Sequence, residues 1–240
     1  MYYHLKEHIY ITQFREELIL LNTKSDKYTI CFKELSDLLK TLLEKESASF
    51  LTPHTSQNLP YIQHLLEDDV IEKKKALYPF YIDRKTASEG VSNVDWQLPL
   101  ETKKVHISFE VLKAFITLIN INFYIKFRGL YATILLIKKS HKSKSNYIIP
   151  QEEDLRDLAN VVNKACLMYP TRIKCLEWAM TFVLLALRKK WKCNLEIGIQ
   201  NYPFFAHAWV ECGGKVVMDS QDLREGLAII LNEPFRRIKS

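Results

Sequence analysis

The sequence predicts an α+β protein with a small front unit, in which strands precede helices, and a larger back unit, in which helices precede strands. Three observations predict it. Residues 1–32 partly alternate apolar and polar positions and are rich in β-branched and aromatic side chains, as strands require. Residues 33–78 then carry apolar side chains at helical spacing. From residue 150 the order is helix, long helix, then strands around a Gly-Gly turn.

The elements follow in order. "HIYITQF" (8–14) and "ELILLNT" (17–23) read as two strands, and the turn signal "KSDKY" (24–28) leads into a third, "KYTICF" (27–32). "KELSDLLKTLLEK" (33–45) places Leu35, Leu38, Leu39, Leu42 and Leu43 on one helical face. "TSQNLPYIQHLLEDDVIEKKKALY" (55–78) gives one or two more helices, with Pro60 as a break or a first-turn residue. Residues 1–80 thus read as three strands and about three helices, a winged-helix-like unit. Residues 81–106 have scattered charge and no clean period, and read as a linker. Residues 107–240 form the second unit. Its first stretch, 107–137, reads as two buried helices. A membrane span needs about 20 mostly apolar residues, whereas the longest charge-free run, Ala114–Ile125, is shorter and holds Asn120 and Asn122. That argues against membrane contact. "KKSHKSKS" (138–145) is a basic, solvated break.

Composition sets outer bounds. The 240 residues are 48% hydrophobic and 26% charged, ordinary for a globular chain and long enough for a large core. A net charge of +6 fits a nucleic acid, a membrane surface or an acidic peptide without choosing among them. The five cysteines are odd in number, and no two are spaced C-x-x-C, so a disulfide framework or zinc ribbon fits poorly. Reduced thiols in the cytoplasm fit better. "MYYHLKEHIY" lacks the apolar stretch of a signal peptide, which argues against export.

The chemistry-bearing residues lie in the back unit. A helix over 171–191 follows Pro170, with Thr171 as its expected N-cap, and is apolar nearly all round, as a buried helix is. Cys175 falls in its first turn, where free N–H groups and the helix dipole favour a thiolate, with Arg172 and Lys174 close by. "AHAWVEC" (206–212) and "KVVMD" (215–219) form a hairpin around Gly213-Gly214. A two-residue loop pairs Cys212 with Lys215 and sends His207 and Asp219 to opposite faces. A three-residue loop pairs Glu211 with Lys215 and sets His207 directly opposite Asp219. The charges favour the second register, which makes a His–Asp pair able to orient the imidazole as a base for Cys175. Each residue also has a bland reading: a cysteine in an apolar helix is commonly packing, and a histidine in a strand commonly structural.

The residues carry a resemblance. "CLEWAMTFVLLALRKKW" followed by "LEIGIQNYPFFAHAWVECGGKVVMD" is similar to the lasso peptide biosynthesis B protein, the leader peptidase of that pathway, within the transglutaminase-like, papain-related cysteine proteases. The shared block holds Ile197, Gly198, Ile199, Pro203, Phe204, Ala206, His207, Ala208, Trp209, Val210, Glu211 and Asp219. The likeness spans about residues 150–231. It implies a papain/transglutaminase-like peptidase domain with Cys175, His207 and Asp219 as catalytic residues. The backbone N–H of Cys175 would be one oxyanion donor, and no metal or cofactor is implied.

More weakly, residues 1–80 resemble the precursor recognition element fused to the peptidase in some of these proteins. There the leader peptide adds as a strand beside the third strand and packs on the third helix. In this chain those regions are 27–32 and about 61–73, with Tyr28, Ile30, Phe32 and Leu65 as candidate leader-binding residues. The implied partners are a precursor peptide and an ATP-using, asparagine-synthetase-like lasso cyclase, in a bacterial cytoplasm. Nucleic acid is disfavoured, because the third helix carries Glu67, Asp68 and Asp69 rather than a dense basic face. Two rivals stand beside this reading: an acyltransferase or transglutaminase on the same fold, and a non-catalytic leader-binding adaptor.

Overall fold

The computed structural model describes residues 1–44, 55–92, 96–99 and 108–239. Four strands open the chain: β1 (Tyr2–Leu5), β2 (Ile9–Phe14), β3 (Glu17–Asn22) and β4 (Lys27–Cys31). The last three are the expected ones. β2 turns into β3 through Arg15, at φ 51°. β3 turns into β4 where the Asn22 side chain accepts from the N–H groups of Lys24 and Ser25, a turn motif asparagine makes readily. Two helices follow among the described residues, α1 (Lys33–Glu44) and α2 (Thr55–Glu67), then β5 (Ile71–Lys74).

The expected helix over 61–73 therefore ends early. Asp69 adopts φ 58°, the Asp69 N–H donates to Leu66, and the Val70 N–H donates to Leu65, a Schellman ending built on aspartate instead of glycine. Residues 71–74 then pair antiparallel with β1. Two short strands separated by so much sequence left no local signal of their pairing.

The main front sheet has the order β4-β3-β2-β6, where β6 (Arg84–Lys85) pairs parallel with β2. Both faces of β2 and β3 are covered. Ile9, Ile11, Leu18 and Leu20 pack with Leu39, Leu43 and Ile62 of α1 and α2. The alternate residues Tyr10, Phe14, Ile19 and Leu21 enter the core of the back unit. This is why the alternation in the sequence was only partial: with both faces buried, no face needs to be polar.

The stretch expected as a linker is tied to the back unit at several of its described residues. Asp83 accepts from the Ile229 N–H at 2.8 Å, Ser88 donates to the Gly226 carbonyl at 2.7 Å, and Gln200 bonds both backbone groups of Val91. Residues 93–95 and 100–106 of that stretch lie outside the described residues.

The back unit begins with α3 (Phe109–Ser140), capped by Ser108 and broken at Gly129, whose φ of 77° and ψ of 176° divide it into two helical halves. The expectation of two helices is met, but that of full burial is not. Val111, Ala114, Leu118 and Ile121 face the core, while Phe109, Leu112, Ile116, Ile119, Phe123 and Phe127 form an exposed stripe on the other side. No helix among the described residues is long and apolar enough to cross a membrane. Then come α4 (Glu152–Leu167), α5 (Cys175–Arg188), β7 (Cys193–Gln200), β8 (Phe205–Cys212), β9 (Lys215–Val217), α6 (Asp222–Gly226) and β10 (Ala228–Glu233). The sheet order is β10-β7-β8-β9. α5 packs between this sheet and the layer of α3 and α4, which explains a helix apolar on every side.

Candidate active site

Cys175 is the first residue of α5, four residues later than the expected helix start. The N-cap is Lys174 and not Thr171, since Glu177 at the third helical position accepts from the Lys174 N–H at 3.1 Å, one arm of a capping box. Residues 171–174 run into the helix without joining it. The cysteine thus sits closer to the helix terminus than the sequence indicated, where N–H groups lack intrahelical acceptors. Cys175 is half-buried, and the other four cysteines are buried. Burial pushes the thiols of Cys31 and Cys166 up to about 12. Cys193 and Cys212 face each other across β7 and β8, and the hydrogen bond between them together with burial pushes Cys193 up.

His207 lies in β8 and is almost fully buried. Its Nε2 is 2.8 Å from Asp219 Oδ2, and Cys175 lies close enough to act on the same imidazole. Burial opposes charge on the imidazole, but the bonds to Asp219 and Cys175 and their charges outweigh it and raise the group to about 9. The three expected residues are therefore together.

They meet by a different route from the one expected. The hairpin takes the two-residue register, Cys212 opposite Lys215 and Val210 opposite Val217. Gly213 and Gly214 both have positive φ, 59° and 89°, the signature of a two-residue type I′ turn. The Glu211 carboxylate supports that turn by accepting from the Gly214 N–H, so it is not paired with Lys215. In this register a continued strand would set Asp219 opposite Ala208. Instead β9 stops at Val217, Met218 adopts φ 56°, and the redirected chain delivers Asp219 to His207. The Asp219 carboxylate also accepts from the Ser220 N–H at 2.8 Å.

Aromatic side chains support the imidazole on both sides along β8, with Phe205 and Trp209 each 6.1 Å from it between ring centres. Trp209 donates its Nε1–H to Glu196 at 2.9 Å. Glu196 is fully buried between Arg224 and Arg237, and desolvation raises its carboxyl to about 7. Opposite His207 in β7 stands Gly198, where a Cβ would lie 2.3 Å from Trp209 Cη2, so only glycine leaves room for the indole. A cleft of ≈ 690 Å³ opens beside Asp219, with Leu155, Arg156, Val217 and Met218 in its wall. Among the described residues no cluster of His, Cys, Asp and Glu suited to a metal ion occurs.

The leader-binding candidates separate. Ile30 and Phe32 are exposed, at 45% and 52%, and β4 has β3 as its single strand neighbour among the described residues. Phe32 pairs with Tyr61 of α2 at 6.2 Å between ring centres. Leu65 is not at this surface: it is buried under α2 with Ile62. Tyr61, and not Leu65, holds the outer face of α2 beside Phe32. Tyr28 turns inward, its ring 5.2 Å from that of Phe204. Burial, then the charges of Asp26 and Cys175, push its phenol up to about 12.

The fold around Cys175 and His207 defines a class. Residues 117–232 match the family model Transglut_core3, the transglutaminase-like superfamily, and form a transglutaminase-like domain. Over 227 residues the chain is 22% identical to the Microcin J25-processing protein McjB of Escherichia coli, covering 92% of this chain and 96% of that protein. Together the two matches bear out the resemblance to the lasso peptide biosynthesis B protein. No solved structure matches the chain.

Proposed function

We propose that this protein is a cysteine peptidase that binds the leader of a ribosomal lasso peptide precursor, cleaves it off, and hands the core peptide to an ATP-dependent cyclase. The observation that carries this reading is the 2.8 Å bond between His207 and Asp219, with Cys175 at the first position of α5 near the same imidazole.

The chemistry follows from that geometry. With His207 raised to about 9, the imidazole holds its proton at neutral pH, and Cys175 acts as the nucleophile in its thiolate form. The thiolate attacks the scissile carbonyl, and the Cys175 N–H stabilises the oxyanion. Collapse expels the core amine, which takes the proton from His207, and leaves the leader as a thioester on Cys175. Water then attacks the thioester, giving its proton to His207. The leader leaves as a carboxylic acid and the thiolate is restored. Asp219 orients the ring throughout.

Docking belongs to the front unit in this reading. The edge of β4 that has no strand neighbour among the described residues offers backbone N–H and C=O groups for strand addition, with Ile30, Phe32 and Tyr61 as side-chain contacts. An acyltransferase would form the same thioester, so the products decide. Incubation of precursor with the full-length protein, read by mass spectrometry, should give a leader ending in a free acid and a core with a free amine. A leader joined to another amine would identify a transferase instead.

A further inference from the structure

The sequence "NYPF" (201–204), between β7 and β8, has no part in the chemistry above, yet the front unit grips it. Glu17 of β3 accepts from Asn201 at 2.5 Å and from the Tyr202 hydroxyl at 3.1 Å. Tyr28 of β4 packs edge-on to Phe204. The loop nevertheless leaves Tyr202 74% and Phe204 47% exposed. Core packing does not explain large rings kept at the surface and held in place by a different part of the chain.

Their position does. Tyr28 and Ile30 are two apart on β4 and so share a face, and Phe32 follows just past the end of the strand. At about 3.3 Å per residue, Phe32 to Tyr28 spans roughly 13 Å, the length of about four extended residues. One end of this row is the Phe32–Tyr61 pair on α2. The other is Phe204, whose neighbour Phe205 lies against the His207 ring. The Tyr28 phenol lies near enough to Cys175 to feel its charge. A row of apolar side chains therefore runs from the exposed Ile30 and Phe32, through the half-buried Tyr28, to Phe204 and to Phe205 beside the His207 imidazole.

We infer that Tyr28, Tyr202 and Phe204 form a subsite for an apolar side chain of the extended leader segment that ends at the cleaved bond. The inference rests on the leader-peptidase reading and adds its specificity element. The front unit thus acts twice, holding the leader at β4 and contributing Tyr28 to this subsite. Because the loop leads directly into the strand bearing His207, a side chain seated on Phe204 fixes how the next peptide bonds approach Cys175.

The test uses the full-length protein with Phe204→Arg, Phe204→Ala and Tyr28→Ala, and a precursor whose last four leader residues are changed singly to Arg. Three quantities are read: kcat/KM for leader removal, the rate of Cys175 alkylation by iodoacetamide, and leader binding by fluorescence anisotropy. Phe204→Arg should lower kcat/KM at least tenfold, leave alkylation unchanged and weaken leader binding less than threefold. Arg at one leader position should reproduce that loss in the wild-type protein and add little to it in Phe204→Arg. Wild-type cleavage matched by Phe204→Arg would overturn the subsite alone. Parallel loss of alkylation would also overturn it, by showing that the substitution disturbs the catalytic residues. A wild-type protein that binds leader without cleaving it would remove the peptidase reading and the subsite with it.

Discussion

Asp219 shows how a single residue governs both the charge and the aim of the imidazole. Its bond to His207 favours the imidazolium, so the group keeps its proton until the pH passes about 9. Activity that depends on the thiolate–imidazolium pair should therefore hold through neutrality and fall as pH rises through about 9. Asp219→Asn removes a charge and a bond that raise the group. It should move this alkaline limb to lower pH and cut kcat/KM by about 10²–10⁴-fold. A pH–rate profile of both proteins checks the sign. An unmoved limb would mean that Asp219 does not set the protonation of His207. All three residues were legible in the sequence, because their order and spacing match a family block. The means by which Asp219 reaches His207 was not. It depends on the positive φ of Met218, a residue type that gives no warning of such a bend.

At the scale of elements, β7 and β8 hold the site through a close fit between glycine and tryptophan. Gly198→Ala would set a methyl group 2.3 Å from Trp209 Cη2 and 2.8 Å from Leu227 Cβ, so the indole beside His207 must shift. The cost should be about 1–3 kcal/mol of stability, as overpacking typically brings, read from urea midpoints, with a fall in kcat/KM. A variant as stable and active as wild type would show that the sheet relaxes freely there. The long buried helix was predicted from its apolar surface, but its start was placed four residues early. Thr171 is the better cap by residue type, whereas the Lys174–Glu177 arrangement depends on a side chain reaching back. The hairpin register was misjudged in a similar way. The Glu211–Lys215 charge pair looked decisive, but a cross-strand charge pair is worth only about 0.2–1 kcal/mol, and two consecutive positive-φ glycines outweighed it.

At the scale of the whole molecule, the two units share one core. Tyr10, Phe14, Ile19 and Leu21 pack into the same cluster as the helices and strands of the transglutaminase-like domain, and the Tyr10 hydroxyl donates to Glu233 at 3.0 Å. Sequence periodicity reported each unit separately, because contacts across so much chain leave no local pattern. Leu21 is fully buried in that shared cluster. Leu21→Ala should cost about 2–5 kcal/mol, and strand content and Cys175 reactivity should be lost together in one urea transition. Two separate transitions would contradict a common core. The shared core also makes deletion of residues 1–80 a poor test of docking, since it would expose the apolar face that those strands cover.

The most direct test of leader removal by Cys175 keeps the chain whole. A precursor peptide encoded beside the gene is incubated with the wild-type protein and with Cys175→Ala, each with and without the partner cyclase and ATP, and leader loss is followed by mass spectrometry. Wild type should release the leader as a free acid, and Cys175→Ala should lower that rate by at least about 10³-fold while still binding the leader. Leader release that persists undiminished in Cys175→Ala would contradict the assignment and move the chemistry to another part of the molecule.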